Sequence, residues 1–308
     1  MSDSTLTAAH AVSFARNAAP ADYFALLKPR VMSLVVFTSA VGMVLAPGEL
    51  HPVLIFAALF CIAAGAGASG AINMWFDRDI DARMPRTSGR PVPSGRVLPG
   101  TALTFGVWLA VGSVTLMALA INWLSAILLA TTICFYVFIY TMWLKRRTPQ
   151  NIVIGGAAGA LPPVIGWAAV AGEVGLAALV LFFIIFVWTP PHFWALALVR
   201  ADEYKKVGVP MLPVVAGPAV TRRHIFWYSV ALVSFSFMPV VIGLSGVIYG
   251  IGAAFLGSVF MMMAALIRCR RRNDDAQRLF SFSILYLFLI FVLLAVDHIF
   301  PSSFPYVL

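Results

Sequence analysis

The chain has 308 residues, of which 61% are hydrophobic and only 11% are charged, and its formal net charge at pH 7 is +9. Together with a mean hydropathy of +0.94, this composition predicts an integral membrane protein and excludes a soluble globular domain. The three cysteines, Cys61, Cys134 and Cys269, are too few and too scattered to predict a disulfide framework or a zinc site.

Apolar runs of about 20 residues, long enough to span a bilayer, recur along the whole chain. They predict nine transmembrane helices, near residues 31–47, 53–75, 101–120, 122–143, 152–171, 175–199, 224–245, 247–267 and 281–300. The segments after the second and sixth predicted helices both mix acids, bases, Pro and Gly, which indicates internal duplication. We therefore expect an all-α membrane protein built from two four-helix units and a final helix. Residues 1–26 are expected to form a cytoplasmic tail and residues 27–308 the membrane domain.

The basic residues predict the orientation of the chain, because short loops rich in Lys and Arg stay on the cytoplasmic side of a membrane. All 21 lie before the first predicted helix or in alternate loops, whereas loops on the other side, such as APGELHP and AGEVG, contain none. We therefore expect a cytoplasmic N-terminus, and this asymmetry explains the positive net charge without nucleic acid. The N-terminal stretch has no apolar core followed by a cleavage site, so no secretory signal is expected.

A concentrated charge cluster, NMWFDRDIDARMPRTSGRPVPSG, follows the second predicted helix at residues 73–95. Within it Asn73, Asp77 and Asp81 recur at every fourth residue, so they are expected to form a stripe on one helical face. Asp79 is expected to point elsewhere. Three oxygen ligands at a membrane boundary suit a hard cation such as Mg²⁺ that also binds a phosphate. The alternative is a solvated loop with Asp–Arg pairs, although Asn73 still belongs to the apolar run, where polar groups are costly.

Basic residues at two places near this stripe are candidates for binding a diphosphate. Arg86 and Arg90 are the two arginines of the sequence RTSGRP. Lys145 and Arg146 end the fourth predicted helix. Guanidinium and ammonium groups beside a metal would neutralise a diphosphate and make it a better leaving group. The alternative is that these residues only anchor the chain at the cytoplasmic boundary.

The sequence GAGASG at residues 65–70 fits the dinucleotide-binding pattern G-x-G-x-x-G, but it lies inside a predicted helix. That pattern needs a preceding strand and a helix start. Small residues that let membrane helices approach closely explain it better, and the same interpretation applies to Gly155 and Gly159.

The spacing N-x-x-x-D-x-x-x-D followed by RTSGRP resembles the first motif of the UbiA-type membrane prenyltransferases. Three longer stretches, YTMWLKRRTPQNIVIGGAAGALPPVIGW, WTPPHFWALAL and DEYKKVGVPMLPVV, are similar to the protoheme IX farnesyltransferase branch of that family. The resemblance covers nearly the whole chain from Leu27 onward. The second acidic motif of the family usually reads D-x-x-x-D, but here the second aspartate is absent. Whether Asp202 or Glu203 completes the metal site therefore stays open.

The resemblance implies an enzyme that transfers the farnesyl group of farnesyl diphosphate to a vinyl group of heme b, releasing diphosphate and forming heme O. Its implied cofactor is Mg²⁺. The residues that would hold the metal are Asn73, Asp77, Asp81 and Asp202, and those that would bind the departing diphosphate are Arg86, Arg90, Lys145 and Arg146. The expected partners are the two substrates and the lipid bilayer, with heme A synthase and terminal-oxidase assembly proteins as further candidates. The bacterial inner membrane is the expected location, in preference to the mitochondrial inner membrane.

A heme acceptor would also give a role to His192, which follows a Pro–Pro pair in the sixth predicted helix. The pair is expected to interrupt that helix and free backbone carbonyls. The imidazole beside it would then ligate the heme iron or orient the acceptor. The alternative is a histidine that is simply hydrogen-bonded to a neighbouring helix. The aromatic residues Trp167, Trp188 and Trp194 are expected to pack or anchor rather than stack on a porphyrin.

Two other functions stay open. An aromatic prenyltransferase of the quinone type would share the fold and the metal site but not the sequence WTPPHFW. A non-catalytic heme or lipid transporter would use the charged loops as a gate for headgroups, and it would neither depend on Mg²⁺ nor release diphosphate.

Overall fold

The computed structural model describes residues 18–300, and the regular structure of this part of the chain is entirely helical. Among residues 18–300, eight helical segments are long and apolar enough to cross a membrane, with Trp123–Arg146 and Asn151–Ala171 each counted as one segment, and nine spans result if the bent pair Pro20–Leu26 and Pro29–Leu45 is counted as one. The predicted all-α membrane fold is confirmed, and the predicted nine spans agree with the higher count. Most of the predicted N-terminal tail lies outside the described residues.

We number the helices in chain order. The first half contains α1 (Pro20–Leu26), α2 (Pro29–Leu45), α3 (Pro52–Phe76), α4 (Arg78–Arg83), α5 (Pro99–Ala120) and α6 (Trp123–Cys134), which continues as a π-helical segment (Phe135–Trp143) and a 3₁₀ turn (Leu144–Arg146). The second half contains α7 (Asn151–Ala160), α8 (Pro162–Ala171), α9 (Leu176–Val199), α10 (Ala201–Lys206), α11 (Leu212–Val215), α12 (Gly217–Ser236), α13 (Met238–Val241), α14 (Val247–Arg270) and α15 (Asn273–Ile299).

Several helix boundaries differ from the apolar runs that predicted them. Helix α12 begins at Gly217 rather than near residue 224, and α15 begins at Asn273 rather than near residue 281. Hydropathy detects only the lipid-facing length of a helix, whereas Arg and Gln continue the helix past the membrane boundary at little cost. The predicted span 152–171 is two helices, because Pro162 is suited to the first position of a new helix.

The buried apolar side chains of the bundle form two main clusters. One apolar cluster lies within α2 to α8, and a larger cluster joins α9 to α15 with one side of α2, α7 and α8. Helix α15 contacts α14, α9 and α2. The last helix therefore closes the bundle against the first span, in agreement with the predicted two units and a final helix.

Glycine lets α2 and α8 touch through their backbones. A Cβ atom on Gly42 would lie 2.2 Å from the carbonyl oxygen of Pro163, and one on Gly166 would lie 2.1 Å from the carbonyl oxygen of Ser39. These distances leave no room for any side chain. The crossing therefore requires glycine on both helices.

The close-packing interpretation of GAGASG is confirmed, because a Cβ atom on Gly67 would lie 2.8 Å from Leu27 Cδ2. It also holds for Gly155, where a Cβ atom would lie 2.3 Å from the ring of Tyr140. It is wrong for Gly159, since no other part of residues 18–300 lies within 4 Å of a Cβ built there, apart from the adjoining backbone of its own helix. Spacing alone could not separate a glycine at a helix contact from one facing open space.

Helix α9 runs without interruption through Pro190 and Pro191, so the expected break is wrong. The hydroxyl of Thr189 donates to the carbonyl of Ile185 at 2.8 Å, and α9 is enclosed by α7, α12 and α15. Proline removes N–H donors from the helix, but packing against neighbouring helices and hydroxyl side chains can hold it straight enough to continue.

The chain bends by 56° between α1 and α2. Lys28 lies at the bend with φ 55° and ψ 58°, a left-handed conformation that is uncommon for a residue with a side chain. The short helix α1 is tied to the segment after α4 by an ion pair between Asp22 and Arg96 at 2.7 Å. The bend brings the backbone of Leu26 against α3, where a Cβ atom on Gly70 would lie 3.3 Å from its carbonyl oxygen.

Candidate active site

The charge cluster lies where α3 ends and α4 begins, with Asp77 at the junction. The amide of Asp77 donates to the carbonyl of Asn73 at 2.9 Å, and the amide of Asp81 donates to the carbonyl of Asp77 at 2.8 Å. Asn73, Asp77 and Asp81 are all buried, with exposures of 4%, 0% and 4%. The side chain of Asp79, by contrast, is 52% exposed. Three polar groups are therefore held together inside the protein.

Asp77 is the most buried of the three and contacts residues from distant parts of the chain. Its Oδ2 atom forms an ion pair with the ammonium group of Lys145 and accepts a hydrogen bond from Asn73 Nδ2 at 2.8 Å. Its Oδ1 atom accepts no hydrogen bond, although Arg146 Nη2 lies 3.5 Å away. A buried carboxylate oxygen without a donor is a candidate position for a cation.

Asp81 is paired with Arg90, whose Nη1 atom lies 2.6 Å from Asp81 Oδ2. The hydroxyl of Thr87 donates to the backbone carbonyl of Asp81 at 2.9 Å. Because Thr87 is fully buried, this bond fixes the segment RTSGRP against α4. The segment after α4 therefore folds back onto α4. As a result Arg90, a predicted diphosphate-binding residue, contacts Asp81, a predicted metal ligand.

Arg146 is held by Asp79, through hydrogen bonds of 2.9 and 2.7 Å from Nη1 and Nη2 to the two carboxylate oxygens. Its guanidinium also lies over the ring of Phe76, with 4.9 Å from Cζ to the ring centroid. The hydrogen bonds from Arg146 lower the pKa of Asp79 below its usual value of 3.8. Asp79 therefore stays charged and orients Arg146 beside Asp77.

The remaining predicted site residues are less enclosed. Arg86 and Asp202 are exposed, and no hydrogen bond from either side chain is found among residues 18–300. Glu203 is paired with Arg200, whose Nη1 atom lies 2.6 Å from Glu203 Oε1. Residues 18–300 contain no group of three His, Cys, Asp or Glu side chains close enough to hold a metal by themselves.

Two contact residues were not singled out by the sequence. The ammonium group of Lys28 donates to Asn73 Oδ1 at 2.6 Å, and Asn73 Nδ2 also donates to Thr141 Oγ1 at 3.1 Å. The sequence offered Lys28 only as one of many basic residues near a boundary. Thr141 did carry a signal, because it is a polar residue within an apolar span four positions before Lys145.

A π-helical segment, Phe135–Trp143, lies directly before the basic end of the fourth predicted span. A π-helix turns less per residue than an α-helix, so it changes the face on which later residues lie. Both Thr141 and Lys145 reach the Asn73 and Asp77 side chains in this arrangement. The sequence predicted an ordinary helix here, since a change of helix type leaves no mark on hydropathy.

His192 lies in a separate environment between α9 and α15. Its Nδ1 atom is 2.6 Å from Ser283 Oγ. Its ring is stacked between Trp188 and Phe280, with centroid distances of 4.3 and 4.7 Å. Trp188 in turn donates from Nε1 to the carbonyl of Ser283 at 2.7 Å. The imidazole therefore contacts protein side chains through its ring faces and through Nδ1. Its other nitrogen, Nε2, is the atom that could bind a further group.

The fold and this cluster define a class of protein: an all-α polytopic membrane protein with buried carboxylates and paired cations at one boundary of the bundle. Residues 35–296 match the UbiA prenyltransferase family. The chain belongs to that family, as the resemblance of its motifs predicted.

Close relatives cover most of the chain. A protein of Parvibaculum lavamentivorans named protoheme IX farnesyltransferase is 59% identical over 280 residues, which cover 90% of this chain and 88% of the relative. A protein of Methylobacterium nodulans with the same name is 56% identical over 292 residues, covering 93% of this chain and 92% of the relative.

Solved structures share the fold at much lower identity. A structure described for a digeranylgeranylglyceryl phosphate synthase has a TM-score of 0.76 and 20% identity, covering 90% of this chain and 98% of its own. A UbiA homologue of Archaeoglobus fulgidus bound to DMAPP and Mg²⁺ has a TM-score of 0.61 and 17% identity, covering 88% of this chain and 99% of its own. At these identities the likeness concerns the fold.

Proposed function

We propose that this protein transfers the farnesyl group of farnesyl diphosphate to a vinyl group of heme b, forming heme O and diphosphate. The observation that carries the proposal is the name protoheme IX farnesyltransferase on relatives that are 59% and 56% identical along nearly the whole chain. The buried carboxylates with basic partners are consistent with diphosphate chemistry, because a diphosphate needs both a cation and hydrogen-bond donors.

The oxygen atoms of the cluster fit a hard divalent cation. Asn73, Asp77 and Asp81 offer an amide oxygen and two carboxylates, and Asp77 Oδ1 is buried without a hydrogen-bond donor. A related fold binds DMAPP together with Mg²⁺. We assign these three residues as the Mg²⁺ ligands, with Asp202 as the candidate fourth. When bound, Mg²⁺ would supply Lewis-acid neutralisation of the diphosphate charge.

The basic residues would bind the leaving group. Lys145 and Arg90 are paired with the carboxylates, so these partly buried charges lie close to where a diphosphate would bind. Arg146, oriented by Asp79, and the exposed Arg86 would complete the set. Hydrogen bonds from these groups strengthen as charge develops on the departing oxygen, which lowers the barrier to breaking the carbon–oxygen bond.

The reaction then needs only the substrates and one water. The carbon–oxygen bond of farnesyl diphosphate breaks and diphosphate leaves with the bonding electrons. The vinyl π-electrons of heme b attack the allylic carbon, and water adds to the resulting cation and releases one proton. Apolar surroundings protect the allylic cation from early capture by water. His192, whose Nε2 is uncommitted, is assigned as the residue that ligates or orients the heme.

We further propose that the protein acts in the bacterial inner membrane, with its N-terminus and the charge cluster on the cytoplasmic side. This orientation is supported by the distribution of the basic residues. Heme A synthase and terminal-oxidase assembly proteins are the proposed protein partners, because they would use or receive the product.

The test is to incubate the purified protein with heme b, farnesyl diphosphate and Mg²⁺ and to detect heme O by mass spectrometry. We expect a product that carries one farnesyl group and one hydroxyl, with one diphosphate released per product. Chelation of the metal should stop the reaction. Prenylation of a quinone precursor but not of heme would favour an aromatic prenyltransferase, and substrate movement without diphosphate release would favour a transporter.

A further inference from the structure

Lys28 contacts the oxygen atom that the proposed metal would need. Its Nζ atom lies 2.6 Å from Asn73 Oδ1. The orientation of the Asn73 amide is fixed from the other side, because Nδ2 donates to Asp77 Oδ2 at 2.8 Å and to Thr141 Oγ1 at 3.1 Å. A reversed amide would direct N–H groups at an ammonium and oxygen at a carboxylate. The Asn73 oxygen therefore faces Lys28.

An asparagine can ligate a hard cation only through this oxygen. An ammonium hydrogen-bonded to it occupies one of its two acceptor positions and repels a second cation at short range. Lys28 and a metal on Asn73 therefore compete. The two states differ by a movement of the lysine side chain, which has four rotatable bonds.

The position of Lys28 in the fold makes such a movement possible. The residue lies at the bend between α1 and α2 rather than within a helix, and its side chain is only half-buried. Its stem runs along α3, where a Cβ atom on Gly70 would lie 3.5 Å from Lys28 Cδ. The stem can therefore stay packed on α3 while the ammonium group changes partner.

We propose that Lys28 is a tethered counter-cation, which holds Asn73 Oδ1 until a divalent cation binds and then moves onto the diphosphate. This inference rests on the proposed function, since it requires a metal and a diphosphate at the cluster. It assigns two roles to one residue. Lys28 competes with the metal before substrate binds and adds a hydrogen bond to the diphosphate afterwards.

The test measures metal binding without any turnover. Mn²⁺ binding to the full-length protein is followed by electron paramagnetic resonance, with no substrate present, for the wild type, Lys28→Met, Lys28→Gln, Lys28→Arg and Arg30→Gln. Methionine keeps the packed stem and removes the charge, whereas arginine keeps the charge. Arg30 is an exposed cation two residues away in α2, so Arg30→Gln controls for a general change in charge.

We expect Lys28→Met and Lys28→Gln to bind Mn²⁺ about tenfold more tightly than the wild type, because a competing charge has been removed. Lys28→Arg and Arg30→Gln should bind it as the wild type does. With Mn²⁺ saturating, a non-hydrolysable farnesyl diphosphate analogue should bind Lys28→Met about tenfold more weakly, because a charged hydrogen bond is lost.

Unchanged or weaker Mn²⁺ binding by both neutral variants would overturn the inference while leaving the proposed function intact. An equal gain in Arg30→Gln would also overturn it, since the effect would then be unspecific. A wild-type protein that binds no Mn²⁺ and makes no heme O would instead count against the proposed function itself.

Discussion

Arg90 Nη1 lies 2.6 Å from Asp81 Oδ2, so a predicted diphosphate-binding cation contacts a predicted metal ligand. Lys145 and Asp77 form a second pair of the same kind. Each carboxylate is thus neutralised before any ligand arrives, which lowers the cost of burying it. When metal and diphosphate bind, the carboxylates would pair with the metal and the basic side chains would pair with the diphosphate. Each charged group would therefore change its partner without becoming an unpaired buried charge.

Asp77→Asn should reduce heme O formation by at least about 100-fold, because it removes one of the two negative charges that the cluster offers to the metal. The rate is measured by mass spectrometry, and Mn²⁺ binding is measured on the same sample. Asp274→Asn is the matched control, since this side chain is 70% exposed, carries the same charge and lies at the start of α15, outside the cluster. Its rate should fall by less than about threefold. Full activity in Asp77→Asn would contradict the metal assignment.

Arg90→Lys should raise the farnesyl diphosphate concentration needed for half-maximal rate by about tenfold, because lysine keeps the charge but loses the planar fork of donors. The requirement for heme should change little. Steady-state kinetics with each substrate varied in turn separates these effects. Arg83→Lys, an exposed arginine in α4, serves as the control. If the requirements for both substrates rise equally, Arg90 has a structural role instead.

His192→Ala should weaken heme binding by about tenfold while binding of Mn²⁺ and of a farnesyl diphosphate analogue stays normal. A shift in the visible spectrum of bound heme would identify Nε2 as an iron ligand. Lost turnover with an unchanged spectrum would favour a role in orienting the acceptor. His224→Ala is the control, because this histidine bonds within its own helix to the carbonyl of Val220 at 2.9 Å. Full activity with an unchanged spectrum would leave His192 as a packing residue bonded to Ser283.

Gly166→Ala should destabilise the protein by about 2 to 3 kcal/mol, because its methyl group would lie against the backbone of α2 and force the two helices apart. The distance from that Cβ atom to the Ser39 carbonyl oxygen would be 2.1 Å. Gly159→Ala, where the space is open, should cause no loss of stability. Thermal unfolding in the same detergent compares the two variants. Equal stability of both would show that α2 and α8 can separate without cost.

The sequence by itself determined the class of the protein, its spans and its acidic motif. Apolar length predicts a membrane helix because the bilayer sets the length that must be crossed. The four-residue spacing of Asn73, Asp77 and Asp81 predicts that they share one helical face, because a helix turns once in 3.6 residues. These are local properties, so one sequence is enough to predict them. The motifs of the family extended the prediction to the fold, since they recur along nearly the whole chain.

Only the tertiary structure decided which distant residues meet. The contacts of Asn73 with Lys28 and Thr141 join positions 45 and 68 residues apart, and no local pattern relates such positions. The structure also showed that α9 continues through its two prolines and that a π-helical segment precedes Lys145. Both features depend on side chains and backbones supplied by neighbouring helices, because a helix in a bundle is held by its contacts as well as by its own sequence.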